Sequence, residues 1–204
     1  MIEKFTTGSF FTNSYIISND KKECIIIDPG LNYKRVADYI KEKYIPKAIF
    51  ITHGHVDHID GISYFLDLPI YISEKELNQF YDTFESLYDM VGRSNPYNEG
   101  MLDIRKVKEN DIINLLGYSF KVIETPGHTN GSICFLMDDE ILFSGDTLFN
   151  GSIGRTDFPN GDFNKMKNSL EKLKNLPGYI KVYPGHNETT TIEDEICYNP
   201  YLNE

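Results

Sequence analysis

The sequence predicts an αββα sandwich, in which two mixed β-sheets lie face to face with helices on the outside. Two observations predict this fold class. Each half of the 204-residue chain begins with strand-like runs and continues into helical patterns. Several of these runs end in glycine and a polar residue, which is typical of the functional loops at a sheet edge in α/β proteins. We therefore expect one domain over residues 1–204, with a candidate lid or insert at residues 73–105.

The first half alternates between strand-like and helical patterns. β-Branched and aromatic residues bounded by polar turns predict strands, which we place at residues 10–18, 23–27, 47–51 and 69–72. Apolar residues at helical spacing predict helices, which we place at residues 33–44, directly after Asp57, and at residues 74–90. Asn32 is the expected N-cap of the first helix. The aromatic stripe of the 74–90 helix either packs against the body of the protein or forms a flap over the site.

The second half begins with four strands and ends in a helix, a strand and a helix. Turn residues separate the strands, which we place at residues 111–116, 118–123, 132–137, 140–144 and 178–182. Helical spacing of apolar residues places the two helices at residues 163–176 and 191–197.

Composition excludes several classes of function. The net charge of −11 argues against a nucleic-acid or anionic-membrane partner. The sequence has no run of 18 apolar residues, so we expect no membrane span, and its first residues lack a secretory signal pattern. Its three cysteines (Cys24, Cys134 and Cys197) are far apart, which favours the reducing cytoplasm. No pattern specifies an oligomeric state.

Residues 52–58 contain three of the five histidines of the chain and one aspartate. Imidazole and carboxylate groups are suitable ligands for Zn²⁺, Fe²⁺ or Mn²⁺. His53 and His55 leave the predicted 47–51 strand in extended chain, where residues two apart point the same way, so these two can bind one ion. The chain then turns into a helix, and Asp57 and His58 project elsewhere, toward a second ion.

The other two histidines and one further aspartate repeat this local design. Each follows a strand-like run and a glycine, which lets the chain turn sharply and lets the backbone approach an ion. The chain thus offers seven candidate metal ligands: His53, His55, Asp57, His58, His128, Asp146 and His186. Seven ligands are too many for one ion and suit two ions that share a carboxylate.

Four motifs resemble those of the metallo-β-lactamase superfamily, in the same order and over nearly the whole chain. They are THGHVDH at residues 52–58, TPGHT at 125–129, SGDTLF at 144–149 and PGH at 184–186. Residues 145–149 and 151–159 look like the glyoxalase II branch, the hydroxyacylglutathione hydrolases. The likeness is to its short bacterial form, which lacks the C-terminal helical domain. The resemblance implies the αββα fold of that superfamily.

The resemblance also implies a role for each ligand. His53, His55 and His128 would hold the first ion, Asp57, His58 and His186 the second, and Asp146 would bridge them. We expect two divalent ions, zinc first, with iron or manganese as alternatives. Asp57 and Asp146, the carboxylates of the centre, are also the candidate catalytic residues. In this family a water or hydroxide that bridges the ions is the nucleophile.

Two further residues have two interpretations each. Asp28 resembles a carboxylate that orients a ligand histidine through its other ring nitrogen, or it is a turn residue before Pro29. Arg155 contacts the acidic end of the substrate, or it pairs with Asp157.

These implications predict a metal-dependent hydrolase that cleaves a small-molecule thioester. The sequence has no Gly-x-Ser-x-Gly elbow, which fits a mechanism without a side-chain nucleophile.

One alternative is a persulfide dioxygenase with one iron, which shares the 154–158 run. Another is a phosphodiesterase or RNA-processing enzyme, which shares the His-x-His-x-Asp-His core but is disfavoured by the acidic charge. A structural zinc site is disfavoured because such sites are usually rich in cysteine. A β-lactamase proper is not expected, because Asp146 stands where the commonest lactamases have a zinc-binding cysteine.

Overall fold

The computed structural model describes residues 1–203, and the chain divides into two compact units, Met1–Val107 and a second that begins at Lys108. Each unit contains its own six-stranded mixed sheet and its own helices. The single domain and the lid at residues 73–105 stay predictions.

The sheet of the first unit contains strands β1 to β6 in sequence order. The strands are Ile2–Thr7, Thr12–Ser18, Glu23–Ile27, Ile45–Phe50, Ile70–Ser73 and Ile104–Val107. β1 to β3 pair antiparallel, and β3 to β6 pair parallel. The four strands predicted in this half are confirmed. β1 and β6 are not predicted from the sequence, because charged residues interrupt their apolar pattern.

The parallel pairing of β3 with β4 organises the edge of this sheet. Ile27 lies opposite Phe50 at the carboxyl ends of the two strands. The backbone N–H of Asp28 then donates to the carbonyl oxygen of Phe50 at 3.0 Å. Asp28 therefore lies beside the loop that begins after β4 and carries His53.

The helices of the first unit are short apart from the first one. They are α1 (Lys34–Lys43), α2 (Val56–Ile59) and α3 (Leu77–Tyr81), with 3₁₀ turns at Asp60–Tyr64, Glu74–Glu76 and Asp89–Val91. α1 buries Val36 and Ile40, as the helical spacing predicts. Asn32 is not its N-cap, because Asn32 has a left-handed φ of 56° and Tyr33 lies between it and the helix.

The predicted 74–90 helix is wrong, because only α3 and two flanking 3₁₀ turns form in this segment. The Asp82 carboxylate accepts hydrogen bonds from the backbone N–H groups of Phe84 and Glu85, both at 2.8 Å. Leu87 then adopts a left-handed φ of 63°. Such local hydrogen bonds from an aspartate compete with a continuous helix.

The sheet of the second unit has the strand order β14-β13-β10-β9-β8-β7, with β11 and β12 as a separate hairpin. The strands β7 to β14 are Ile112–Leu115, Tyr118–Glu124, Ile133–Met137, Ile141–Gly145, Leu148–Phe149, Ser152–Ile153, Lys181–Pro184 and Thr190–Thr191. β10 and β13 pair parallel, and the other pairs are antiparallel. The five strands predicted in this half are confirmed, and the two-residue strands are missed because they are too short to show alternation.

The helices of the second unit are α4 (Phe163–Lys174) and α5 (Ile192–Tyr198), followed by a 3₁₀ turn at Pro200–Leu202. α4 begins after Asp162, whose carboxylate accepts hydrogen bonds from the first backbone N–H groups of the helix. Met166, Leu170 and Leu173 of α4 enter one core with sheet residues such as Leu142. Both predicted helices are confirmed.

Three loops of this unit meet at one edge of its sheet. β8 and β10 are both antiparallel to β9, and β10 is parallel to β13, so β8, β10 and β13 end on the same side. The N–H of Gly185 donates to the carbonyl oxygen of Gly145 at 2.8 Å. The loops after these strands carry His128, Asp146 and His186.

Within residues 1–203, no helix combines the length and the apolar character that a membrane span needs.

We expect one of the three cysteines to react with Ellman's reagent in the folded protein. Cys197 is exposed, whereas Cys24 and Cys134 are buried. Burial raises the pKa of the Cys24 thiol to about 12 and that of the Cys134 thiol to about 11. The thiolate is the reactive form, so near neutral pH one thiol should titrate in the native chain and all three after denaturation. A Cys197→Ser variant should show none, and two or more reactive thiols in the native wild type would contradict the burial.

Candidate metal centre

The first unit brings four predicted ligands together. His53, His55 and His58 are buried, and Asp57 is half-buried. The ring of His53 lies 4.8 Å from that of His55 and 4.1 Å from that of His58, measured between centroids. The Nε2 atom of His58 lies 3.6 Å from a carboxylate oxygen of Asp57. Three pairs in this unit have ligand atoms within 4.8 Å of each other, which allows the two members of a pair to share an ion: His53 with His55, His53 with His58, and Asp57 with His58.

The local chain explains how these ligands are presented. β4 ends at Phe50, and His55, directly before α2, has extended backbone angles of φ −75° and ψ 147°. α2 then starts at Val56, so that Asp57 and His58 lie in its first turn. His55 thus comes from extended chain, and Asp57 and His58 come from a helix, as the sequence predicts.

Asp28 is buried and accepts three hydrogen bonds. Thr52 donates to it from its backbone N–H at 2.8 Å and from its hydroxyl at 2.7 Å. The Nδ1 atom of His58 lies 3.0 Å from the same carboxylate. When Nδ1 carries the proton, Nε2 keeps the lone pair that a metal needs. Asp28 therefore makes the contact that an orienting role requires, and the role itself stays a proposal.

Three further hydrogen bonds, which the sequence does not predict, hold the residues of this ligand set or their neighbours in place. The Thr12 hydroxyl donates to an Asp57 carboxylate oxygen at 2.6 Å. The N–H of Gly54, between the first two histidines, donates to the buried Glu76 carboxylate at 2.8 Å. The N–H of Val56 donates to the Ser86 carbonyl oxygen at 2.8 Å. These partners are distant in the sequence, so no local pattern could have identified them.

The segment after β5 packs against the ligand loop of its own unit. Phe80 and Tyr97 are buried, and their rings stack with centroids 5.7 Å apart. The Tyr97 hydroxyl donates to the carbonyl oxygen at the end of α2 at 3.1 Å. Phe84 is 63% exposed. Phe80 of the aromatic stripe therefore packs within its own unit and Phe84 does not, and the flap over the site stays a prediction.

The second unit brings its three predicted ligands together. His128 and Asp146 are buried, and His186 is partly exposed. One carboxylate oxygen of Asp146 lies 3.4 Å from Nε2 of His128 and 3.3 Å from Nε2 of His186. This carboxylate therefore lies between two imidazoles, where a bridging ligand would be needed.

The segment after β12 contacts His128. The Nδ1 atom of His128 lies 2.7 Å from the carbonyl oxygen of Arg155, which again leaves Nε2 for a metal. The Arg155 guanidinium binds both Asp157 oxygens at 2.7 Å and stacks on Phe158 at 3.9 Å. The hydrogen bond from Arg155 lowers the pKa of Asp157 to about 2. The structure thus pairs Arg155 with Asp157, and a contact between Arg155 and substrate stays a prediction.

A hydroxyl pair joins two of the ligand loops. The buried Thr147 hydroxyl, next to Asp146, donates to the Thr125 hydroxyl at 2.8 Å. Thr125 begins the loop that leads to His128. The sequence gives no signal for this pair, since 22 residues separate the two threonines.

Two glycines allow the close backbone approaches on which the ligands depend. A Cβ atom on Gly30 would lie 2.0 Å from the carbonyl oxygen of Asp57, and one on Gly154 would lie 1.8 Å from that of Asp146. Any side chain at either position would push a ligand-bearing backbone away.

The donor atoms fit a divalent transition ion. Within residues 1–203, the two sets contain five imidazoles and two carboxylates, which suit zinc, iron and manganese. The free cysteines lie outside these loops. Nitrogen and oxygen donors without thiolates are typical of catalytic rather than structural zinc sites.

The sequence matches the metallo-β-lactamase superfamily over residues 7–186. It is 36% identical to the hydroxyacylglutathione hydrolase GloC of Haemophilus influenzae, covering 99% of this chain and 98% of that protein. Its structure is similar to that of the B3 metallo-β-lactamase BLEG-1, with a TM-score of 0.91, 34% identity and full coverage of both chains. It is also similar to TTHA1623 in a di-iron-bound form, with a TM-score of 0.84 and 32% identity over 98% of this chain and 100% of that one. These similarities confirm the predicted fold class.

We expect an Asp28→Asn variant to bind zinc about 10- to 100-fold more weakly. The amide would present an N–H group toward Nδ1 of His58, which would move the ring proton to Nε2 and block the ligand atom. A competition titration with a chromogenic chelator measures the change. Asp38→Asn is the matched control, because Asp38 is exposed on α1 and pairs with Lys34. Equal zinc affinity in Asp28→Asn and wild type would contradict the orienting contact.

We also expect Gly30→Ala and Gly154→Ala to lose zinc affinity. Each new Cβ must move about 1 Å or more from a carbonyl oxygen of a ligand residue to reach normal contact. Gly92→Ala is the control for general destabilisation, since its Cβ would meet no atom within 4 Å while its left-handed φ of 68° by itself makes alanine unfavourable there. Isothermal titration with zinc should show weaker binding in the two test variants alone. If Gly92→Ala lost as much zinc affinity, the effect would come from general destabilisation and not from the contact with a ligand residue.

Proposed function

The chain belongs to the metallo-β-lactamase superfamily, and we propose that it is a metal-dependent hydrolase that cleaves thioesters at a dinuclear centre. The proposal assigns two divalent ions, zinc or alternatively iron or manganese. The first ion takes His53, His55 and His128, the second takes Asp57, His58 and His186, and both share Asp146.

The position of Asp146 carries the dinuclear proposal. Its carboxylate lies within 3.4 Å of two imidazole Nε2 atoms that belong to different ions in this assignment. The seven donor groups exceed the four ligands of one tetrahedral zinc ion, and Asp146 is the carboxylate placed between two imidazoles, where it can serve both ions. Iron as an alternative is supported by the di-iron form of TTHA1623.

Thioester hydrolysis adds one water molecule across the carbonyl carbon–sulfur bond and releases a carboxylic acid and a thiol. Divalent ions at this site would lower the pKa of a water molecule to about 7 and stabilise negative charge on the carbonyl oxygen. The task of the protein is then to hold its ligands in fixed positions.

The side chains around the ligands accomplish this task by hydrogen bonding. Asp28 and the Arg155 carbonyl oxygen fix the ring orientation of His58 and His128. The Thr12 hydroxyl fixes one carboxylate oxygen of Asp57. Ligands held in this way lose little further freedom when ions and substrate bind. The hydrogen bonds therefore support a catalytic centre that is organised before substrate arrives.

The similarity to GloC, which is named a hydroxyacylglutathione hydrolase, supports the proposed substrate class. We propose a small-molecule thioester as substrate, with S-lactoylglutathione as the first compound to test. A cytoplasmic location belongs to the same proposal and is supported by the three cysteines, which are all free thiols.

β-Lactam hydrolysis is a second candidate function. It is supported by the similarity to BLEG-1, which is described as a B3 metallo-β-lactamase. Asp146 opposes this function, because it stands where the commonest lactamases have a zinc-binding cysteine. Nitrocefin, a chromogenic β-lactam, distinguishes the two activities on the same protein sample.

We expect a His55→Ala variant to lose thioester cleavage by at least about 100-fold while it stays folded. His55 contributes one of three ligands to the first ion, and about a factor of 10 is lost for each 1.4 kcal/mol of transition-state stabilisation. Thiol release from S-lactoylglutathione measures activity, elemental analysis measures metal per chain, and circular dichroism checks the fold. Tyr179→Ala is the control, because this ring is 66% exposed.

Several outcomes would redirect the assignment. Two ions per chain in the wild type together with thiol release support the dinuclear hydrolase. Turnover retained in His55→Ala would exclude His55 as a ligand. One iron per chain with oxygen uptake on glutathione persulfide would favour the persulfide dioxygenase instead.

A further inference from the structure

We propose that Glu195 is a positioning residue for the metal ligands of the second unit. It acts through the ligand-supporting hairpin, which we define as residues 148–155 and which contains β11 and β12. This inference rests on the proposed metal centre. It assigns a task to a buried carboxylate that is neither a ligand nor part of a sequence motif.

The hairpin touches each of the three ligands of this unit in a different way. The Arg155 carbonyl oxygen accepts the hydrogen bond from Nδ1 of His128 at 2.7 Å. Gly154 lies so close to Asp146 that an added Cβ would fall 1.8 Å from the Asp146 carbonyl oxygen. The ring of Phe149 meets the His186 ring edge to face at 5.7 Å. A displacement of the hairpin would therefore move or release all three ligands.

Glu195 holds the turn of this hairpin. Its side chain is 2% exposed, and one carboxylate oxygen accepts the N–H of Gly151 at 2.9 Å. The Asn199 side-chain amide donates to that same oxygen at 2.7 Å and to the Ser152 carbonyl oxygen at 3.0 Å. The Thr190 hydroxyl donates to the other oxygen at 2.7 Å. Glu195 and Asn199 thus fix one N–H and one carbonyl group on adjacent residues of the hairpin.

The chemistry of these contacts supports a positioning role rather than simple core filling. The donors to Glu195 are a backbone amide, a side-chain amide and a hydroxyl, all of them neutral. A buried carboxylate is tolerated only where hydrogen bonds replace its water. An apolar side chain would fill the same space between α5 and the hairpin without that requirement. What the carboxylate adds is a fixed direction for the Gly151 N–H, because charged acceptors form the stronger hydrogen bonds.

A Glu195→Gln variant tests the contact with almost no change of volume. The glutamine amide has one acceptor oxygen and one NH₂ group. Its NH₂ group would therefore face a hydrogen-bond donor at one of the two places where a carboxylate oxygen now accepts. If NH₂ replaces the shared oxygen, the Gly151 N–H loses its acceptor. If NH₂ replaces the other oxygen, the Thr190 hydroxyl must accept instead of donate. The Gly151 N–H then faces a neutral amide oxygen, which is a weaker acceptor than a carboxylate. Either arrangement loosens the anchor of the hairpin.

Glu193→Gln is the matched control, because it makes the same chemical change at an exposed position of α5. In the metal-free protein, we expect amide exchange at Gly151 to become about 10-fold faster in Glu195→Gln and to stay unchanged in Glu193→Gln. We expect zinc affinity to fall about 10-fold, at the lower end of the range for groups that orient ligands. The visible spectrum of the cobalt-substituted protein should also change, since it reports ligand geometry, which global stability alone does not alter.

A second pair of variants keeps the test independent of folding defects in Glu195→Gln. Thr190→Val removes one donor to Glu195, and Thr190→Ser keeps the hydroxyl. We expect weaker zinc binding and an altered cobalt spectrum in Thr190→Val, with both restored in Thr190→Ser. Wild-type zinc affinity and spectrum in Glu195→Gln would overturn the positioning role while leaving the metal centre intact. A wild-type protein that binds no zinc, cobalt, iron or manganese would overturn the proposed centre and this inference together.

Discussion

The buried carboxylate of Asp28 connects the sheet of the first unit to its ligands. The parallel register of β3 and β4 places Asp28 beside the loop after β4, and its oxygens accept hydrogen bonds from Thr52 and His58. Removing a carboxylate of this kind from water is unfavourable unless all of its partners are present. The strand register, the loop and the imidazole orientation are therefore coupled through one side chain.

Two other buried carboxylates also accept backbone N–H groups of loops near the ligands. Glu76 accepts the N–H of Gly54 between two ligand histidines, and Glu195 accepts the N–H of Gly151 in the hairpin beside the other ligand set. Loops beyond the end of a strand cannot satisfy their backbone groups by sheet pairing. Buried acids supply the missing acceptors and hold the loops in place. A metal centre built on such loops can be rigid without lying on regular secondary structure.

The sequence predicted those features that depend on neighbouring residues. The nine predicted strands follow from β-branched and aromatic runs bounded by turn residues, and the ligand loops follow from those runs that end in glycine and a polar residue. The 74–90 helix was wrong because Asp82 captures two backbone N–H groups and stops the helical pattern. The roles of Thr12, Glu76 and Glu195 were not predicted either, because their partners lie 45, 22 and 44 residues away. Pairs at such distances leave no local periodicity to detect.

The sequence by itself determined the seven candidate ligands, their order and the superfamily, because the motifs are local and carry their own chemistry. Only the tertiary structure established which ring nitrogen of His58 and of His128 faces a partner, and hence which one remains for a metal. Only the structure paired Arg155 with Asp157 rather than leaving both open to other contacts. The physical reason is that a hydrogen bond requires a separation near 3 Å and a defined direction. Strand register and packing fix these quantities, and residue identity alone does not.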